Sequence, residues 1–128
     1  MSFIARILRP RGGSRKPSGA AAEDLAAAFL ARQGLRLVER NYRVRGGEID
    51  LICMDGATLV FVEVRLRTNS RYGGAAASIT ATKQRRLILA ASHYLQAHGE
   101  RDCRFDCVLL TALDEHAIEW IRDAFAAD

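Results

Sequence analysis

Proline and cysteine are both scarce, at 2 and 3 residues in a chain of 128. With only 10 glycines beside those prolines the chain is not collagenous, and 49% hydrophobic with 27% charged residues is neither a disordered nor a coiled-coil composition. Three cysteines exclude a disulfide scaffold. Their spacing, Cys53 and then Cys103-x3-Cys107, misses the usual zinc and redox patterns. A reducing compartment is the simpler expectation. No apolar run reaches the roughly 18 residues of a membrane span. The opening MSFIARILRPRGG is broken by Arg6 and Arg9 and reads as a poor signal peptide. These absences predict a cytoplasmic chain of one domain.

Lysine is the other scarcity: 2 Lys stand against 17 Arg. The formal net charge is +4, and its distribution is uneven. Residues 1–17 hold Arg6, Arg9, Arg11, Arg15 and Lys16 and no acid, and Gly12-Gly13 and Pro17 mark them as a flexible basic arm before a domain over 18–128. Residues 32–86 carry 11 basic and 5 acidic residues, whereas 87–128 carry 3 and 8. A positive middle and a negative end suit a polyanion on one side, and solvated charge on an arginine-rich chain is the plain alternative. Phe3, Ile4, Ile7 and Leu8 make a short apolar face beside arginines, which leaves open a small interaction subunit that docks through its arm.

The spacing predicts a helix over 20–33, with Ser18 as its cap, Ala22, Leu25, Ala26, Phe29 and Leu30 on one face, and Gly34 as its stop. Strands follow over 35–42, 48–54 and 57–67, the last two joined at Asp55-Gly56 as a hairpin. After a Gly- and Ala-rich loop over 68–79, a second helix runs over 81–98 between Thr80 and Gly99. A strand apolar on both faces spans 104–111, and a strand-like stretch over 116–121 leads to Ala124-Phe125. The expected fold is a single α/β domain with a mixed sheet and a helix on each face, in the order helix-strand-strand-strand-helix-strand.

The hairpin carries the chemistry. A turn at Asp55-Gly56 pairs Met54 with Ala57, Ile52 with Leu59 and Asp50 with Phe61. Glu48, Asp50, Glu63 and Arg65 then project from one corner of one face, while Ile49, Leu51, Cys53, Val60, Val62 and Val64 make the other face. Three carboxylates repel one another unless a cation sits among them. Asp50 and Glu63, diagonal neighbours about 7 Å apart at Cβ, suit a hard cation such as Mg²⁺ or Mn²⁺, and no His or Cys is at hand to favour zinc. An exposed ion-pair network of Glu48 and Glu63 with Arg43, Arg45, Arg65 or Arg67 is the alternative from periodicity alone. Cys103 and Cys107, evenly spaced on one strand, are expected to pack, and Trp120 to lie in the core.

The run Gly47-Glu48-Ile49-Asp50-Leu51-Ile52 followed by Val60-Phe61-Val62-Glu63-Val64-Arg65 resembles the YraN family of small bacterial proteins. That family is similar to the restriction-endonuclease-like nucleases, near the Holliday junction resolvases. Gly19-x3-Glu23, Arg40-Asn41-Tyr42, Lys83 with Leu87, Arg104-Phe105-Asp106 and Ala124-Phe125 extend the likeness over most of 19–125. The resemblance implies a restriction-endonuclease-like core and a metal-dependent nuclease acting on branched or flapped DNA. It implies Asp50, Glu63 and the Val64 carbonyl as ligands of Mg²⁺ or Mn²⁺, Glu23 as a helix acid approaching them, and Glu48 as an assisting acid. Arg65 stands where the family usually has Lys. It keeps the positive charge but not the compact ammonium, which raises the alternative of a non-catalytic nucleic-acid-binding protein. Candidate nucleic-acid contacts are Arg43, Arg45, Arg71, Lys83 and Arg86, with Gln84 turned toward the site. A homodimer is an assembly implied by the resemblance alone.

Overall fold

The computed structural model describes residues 17–67 and 79–127, without the side chains of 17 and 18. The arm over 1–16 and most of the Gly-rich loop, Arg71 and Tyr72 included, lie outside the described residues. Helix α1 spans Pro17–Arg32, strands β1 Arg36–Val44, β2 Gly47–Asp55 and β3 Thr58–Leu66 follow, then α2 Ala81–His98, β4 Cys103–Leu110 and β5 Ile118–Phe125. The sheet order is β1-β2-β3-β4-β5. Only β3 and β4 run parallel, and the connection between them is the one that carries α2, because a parallel pair needs a long crossover. The α/β architecture and the element order are as the sequence predicts, with β5 absorbing Ala124-Phe125.

Each helix ends where its sequence directs. Helix α1 begins at Pro17, so Ser18 lies inside the helix rather than capping it. Proline suits the first helical position because its missing N–H would have no helical partner there. At the other end the Leu35 N–H donates to the Leu30 carbonyl and Gly34 N–H to Ala31, both at 3.0 Å, with Gly34 at φ +98. This is a Schellman motif, sealed by Leu30 and Leu35 in the same core. In α2 the Thr80 hydroxyl accepts from Lys83 N–H, and Gly99 N–H donates to the Leu95 carbonyl.

The two faces of the sheet hold separate cores. Ala22, Ala26 and Leu30 of α1 pack on Leu51, Cys53, Val60, Val62, Val108 and Leu110. Leu87, Ala90, Ala91 and Tyr94 of α2 pack on Ile49, Ile52, Met54, Leu59, Phe61 and Phe105. Each large side chain fully buried here stabilises the fold by about 1.5–3 kcal/mol.

The hairpin register differs from the expected one by two residues. Asp55 pairs with Thr58, Met54 with Leu59, Ile52 with Phe61 and Leu51 with Val62. The turn residues are Gly56 and Ala57, and only Gly56 takes a positive φ, +62. An even shift leaves every side chain on its face, so the corner survives, and continuing the register sets Asp50 directly opposite Glu63 rather than diagonal to it. Ile49 does move: it joins the α2-side core with Ile52 rather than the face of Leu51 and Cys53. The alternation of β2 breaks at Asp50. Opposite it in β1, between the pairs Arg40↔Leu51 and Tyr42↔Ile49, Asn41 takes φ +54, a left-handed conformation that asparagine tolerates better than most residues.

Candidate acidic cleft

Asp50 sits at the break in β2, and its carboxylate serves the backbone. The Val64 N–H donates to Asp50 Oδ2 at 2.8 Å, just beyond the last paired residues of β2 and β3. Glu63, on β3, is hydrogen-bonded to Asp50 through their carboxyl groups. Both are buried, at 8% and 6% exposure. Burial pushes the Glu63 carboxyl up to about 8, and the negative charge of Asp50 adds to the rise, while Lys83 and Arg65 oppose it. Lys83 Nζ lies 3.7 Å and Arg65 Nη1 3.8 Å from Glu63 Oε2. Beneath Glu63, its β4 partner Cys107 is buried, and burial, then Glu63, push its thiol up to about 12.

An open cleft reaches Glu63, lined by Glu48, Glu63, Lys83, Arg86 and Leu87. Gly47 precedes Glu48 at the start of β2. A Cβ there would meet the Arg86 carbonyl oxygen at 2.5 Å and Ala90 N at 3.1 Å, so glycine lets the backbone of β2 run against that of α2. Glu48 is half-buried and 3.8 Å from Arg43 Nε, while Arg43, Arg45 and Arg86 are exposed. The hairpin acids and the cation of α2 are thus brought together. The ion pairs expected of Glu48 and Glu63 also form, with Arg43 and Arg65.

Glu23 is buried on α1 at 5% exposure, and Asp24 beside it points outward, as the helical stripe predicts. Arg40 Nη2 lies 3.6 Å from Glu23 Oε1 and 2.8 Å from Asp24 Oδ1, tying β1 to α1. Gln84 does not turn to the site: its amide donates to the Ile79 carbonyl at 3.1 Å. Among the described residues no group of three or more His, Cys, Asp or Glu side chains gathers as a ready metal cage. The acids come as a pair. Two hard carboxyl groups side by side suit a small divalent cation, which would take the place of the proton that burial and Asp50 favour on Glu63.

Sequence reasoning missed a buried acid away from the cleft. Asp106, wholly buried on β4, accepts from Arg104 Nε at 3.0 Å and Nη2 at 3.2 Å, from Trp120 Nε1 at 3.0 Å and from Asp123 N–H at 2.9 Å. It anchors β5 to β4 where their register shifts and where Asp123 takes φ +51. Trp120 is therefore packed on the α1-side core with its indole N–H satisfied. Cys103, at the start of β4, is exposed rather than packed.

Among the described residues no helix is long and apolar enough to cross a membrane. The chain is similar to the UPF0102 protein of Dechloromonas aromatica (strain RCB), 63% identical over 110 residues that cover 86% of this chain and 89% of that relative. It is similar to the UPF0102 protein of Methylobacillus flagellatus, 56% identical over 112 residues, 88% of this chain and 99% of the relative. It is also similar to UPF0102 protein NE0719 of Nitrosomonas europaea, 60% identical over 108 residues, 84% and 92% of the two chains. The profile of the Uncharacterised protein family UPF0102 matches residues 22–110, from within α1 to the end of β4. This is the same family that the hairpin motif resembles, and the chain belongs to it.

Proposed function

We propose that the protein is a metal-dependent nuclease that hydrolyses phosphodiester bonds, with branched or flapped DNA as its substrate. The observation that carries this reading is the Asp50–Glu63 pair, two buried carboxyl groups joined across the β2–β3 hairpin, of which Glu63 lines a cleft with Lys83 and Arg86. A cleft with acids at its floor and cations at its rim suits a hard cation and a polyanion together. Asp50, Glu63 and the Val64 carbonyl would hold Mg²⁺ or Mn²⁺, which when bound neutralises phosphate charge and lowers the pKa of a water. Asp50 is oriented for this by Val64 N–H, and Glu63 by its carboxyl hydrogen bond to Asp50. Arg43 and Arg45, exposed at the end of β1, extend the positive rim and would meet flanking phosphates. Hydrolysis itself adds water across one P–O bond: the water oxygen joins phosphorus, the ester oxygen leaves as an alcohol, and the proton passes between them through solvent.

Cleavage of labelled branched and linear DNA with Mg²⁺ or Mn²⁺ tests the reading in wild type, Asp50→Ala and Glu63→Ala. Metal-dependent cleavage by the wild type, lost in both variants while DNA binding persists, is the expected result. Equal cleavage by the variants refutes it. Binding with a steep salt slope and no cleavage by the wild type would favour the second reading, a nucleic-acid-binding protein on a nuclease scaffold, for which Arg65 in the lysine position is the supporting observation.

A further inference from the structure

Two cations stand beside Glu63, and they are not equivalent. Lys83 lines the cleft with Glu48, Glu63, Arg86 and Leu87, and Arg65 does not. Arg65 has only 27% of its side chain exposed, and its Nε is buried with no hydrogen-bond partner among the described residues. Its guanidinium lies 3.8 Å from Glu63 Oε2 and does not line the cleft. Lys83 leaves the first turn of α2, where the helix dipole disfavours a cation and where the turn itself contains no acid. The residue thus adds its charge to an end of the helix that is already positive, in a cleft that it lines together with Glu63.

We infer that Lys83, not Arg65, is the catalytic cation that meets the scissile phosphate, and that Arg65 is a positioning residue that steadies Glu63. This rests on the phosphodiesterase reading above. A compact ammonium on a four-carbon stem can follow negative charge as it develops on the non-bridging oxygens. A guanidinium half-buried against a carboxylate has no such freedom. Lys83 keeps its protons throughout. The attacking water supplies the oxygen of the new P–O bond, and the departing ester oxygen takes its proton from solvent. The ligand class is a phosphodiester whose phosphate enters between Glu63 and Arg86.

The test compares full-length wild type with Lys83→Met, Lys83→Arg and Arg65→Met, by steady-state cleavage of labelled branched DNA with Mn²⁺ and by thermal melting. For Lys83→Met, kcat is expected to fall about 100-fold, with KM within about threefold and the melting temperature kept. Lys83→Arg is expected to recover at least about tenfold of that loss, because it restores a cation at the same point. Arg65→Met is expected to raise the Mn²⁺ concentration for half-maximal rate, with a smaller fall in kcat. A Lys83→Met protein with wild-type kcat, whether KM rises or not, overturns the assignment. So does a Lys83→Arg protein no faster than Lys83→Met. An inert wild type refutes the nuclease reading as a whole, and is told apart from failure of the Lys83 assignment because that failure appears only in an active wild type.

Discussion

Replacing Glu63 with glutamine is expected to stabilise the metal-free protein at alkaline pH. In the unfolded chain this carboxyl titrates near 4.5, and in the folded one burial and Asp50 raise it to about 8. The folded state therefore binds the proton more tightly. The favourable contribution of the protonated group is complete below pH 4.5 and is lost as pH rises toward 8. Each unit of displacement corresponds to about 1.4 kcal/mol, so the loss has a ceiling of about 5 kcal/mol. Sharing of the proton with Asp50, which makes the titration a property of the pair, brings the expected value to about 2–4 kcal/mol. Glutamine keeps the shape and a hydrogen bond to Asp50, and has no proton to lose. Urea unfolding from pH 5 to pH 9 in a chelating buffer checks this. Wild-type stability should fall across that range by about 2–4 kcal/mol more than that of Glu63→Gln, and millimolar Mn²⁺ should restore the wild type at pH 8 but not the variant. Parallel pH profiles for the two proteins would show that Glu63 is ionised throughout and that no proton is held between the two acids.

Asp106→Ala should destabilise the fold by about 3–5 kcal/mol in urea, because it strands Trp120 Nε1 and Asp123 N–H and leaves Arg104 with Asp55 alone; a loss below about 1 kcal/mol would mean that water replaces the carboxylate without penalty. Gly47→Ala should lower stability by about 1–3 kcal/mol as α2 is pushed off β2, read as a drop in melting temperature. Gly34→Ala meets open space but keeps φ +98, so its cost should be smaller, about 1 kcal/mol. Native protein at pH 8 should react with Ellman's reagent at Cys103 alone, since Cys53 and Cys107 are buried with thiols pushed up to about 12; rapid reaction of all three would contradict the packing.

Most of the fold was legible because its signals are local. Thr80 and Gly99 bound α2 by side-chain and backbone chemistry within one turn, and β2, β3 and β4 declare themselves by apolar runs that need cover on both faces. The register was not legible, since an Asp-Gly pair permits glycine at either central turn position, and the structure uses Gly56 as the first. Because that ambiguity is a shift of two, Asp50 and Glu63 were placed on the correct face and at the correct end. What escaped was non-local. Nothing in the periodicity of β2 says that Asn41 on another strand will take a left-handed turn and carry Ile49 to the α2 side. Likewise Asp106 finds Trp120 and Asp123 only after β5 has docked. Lys83 stood in the sequence among the candidate nucleic-acid contacts, and only packing gives it Glu63.

Contact of Gly47 with Arg86 and Ala90 is main chain on main chain. Side chains can change rotamer to admit a guest, whereas two abutting backbones cannot. The acidic strand and the basic helix therefore behave as the jaws of a caliper locked at one setting. Under the proposed nuclease function, selectivity at such a gap would fall to the visitor: a phosphate that protrudes from an unstacked or sharply bent strand would enter, and one flush with a smooth duplex would first have to be lifted out.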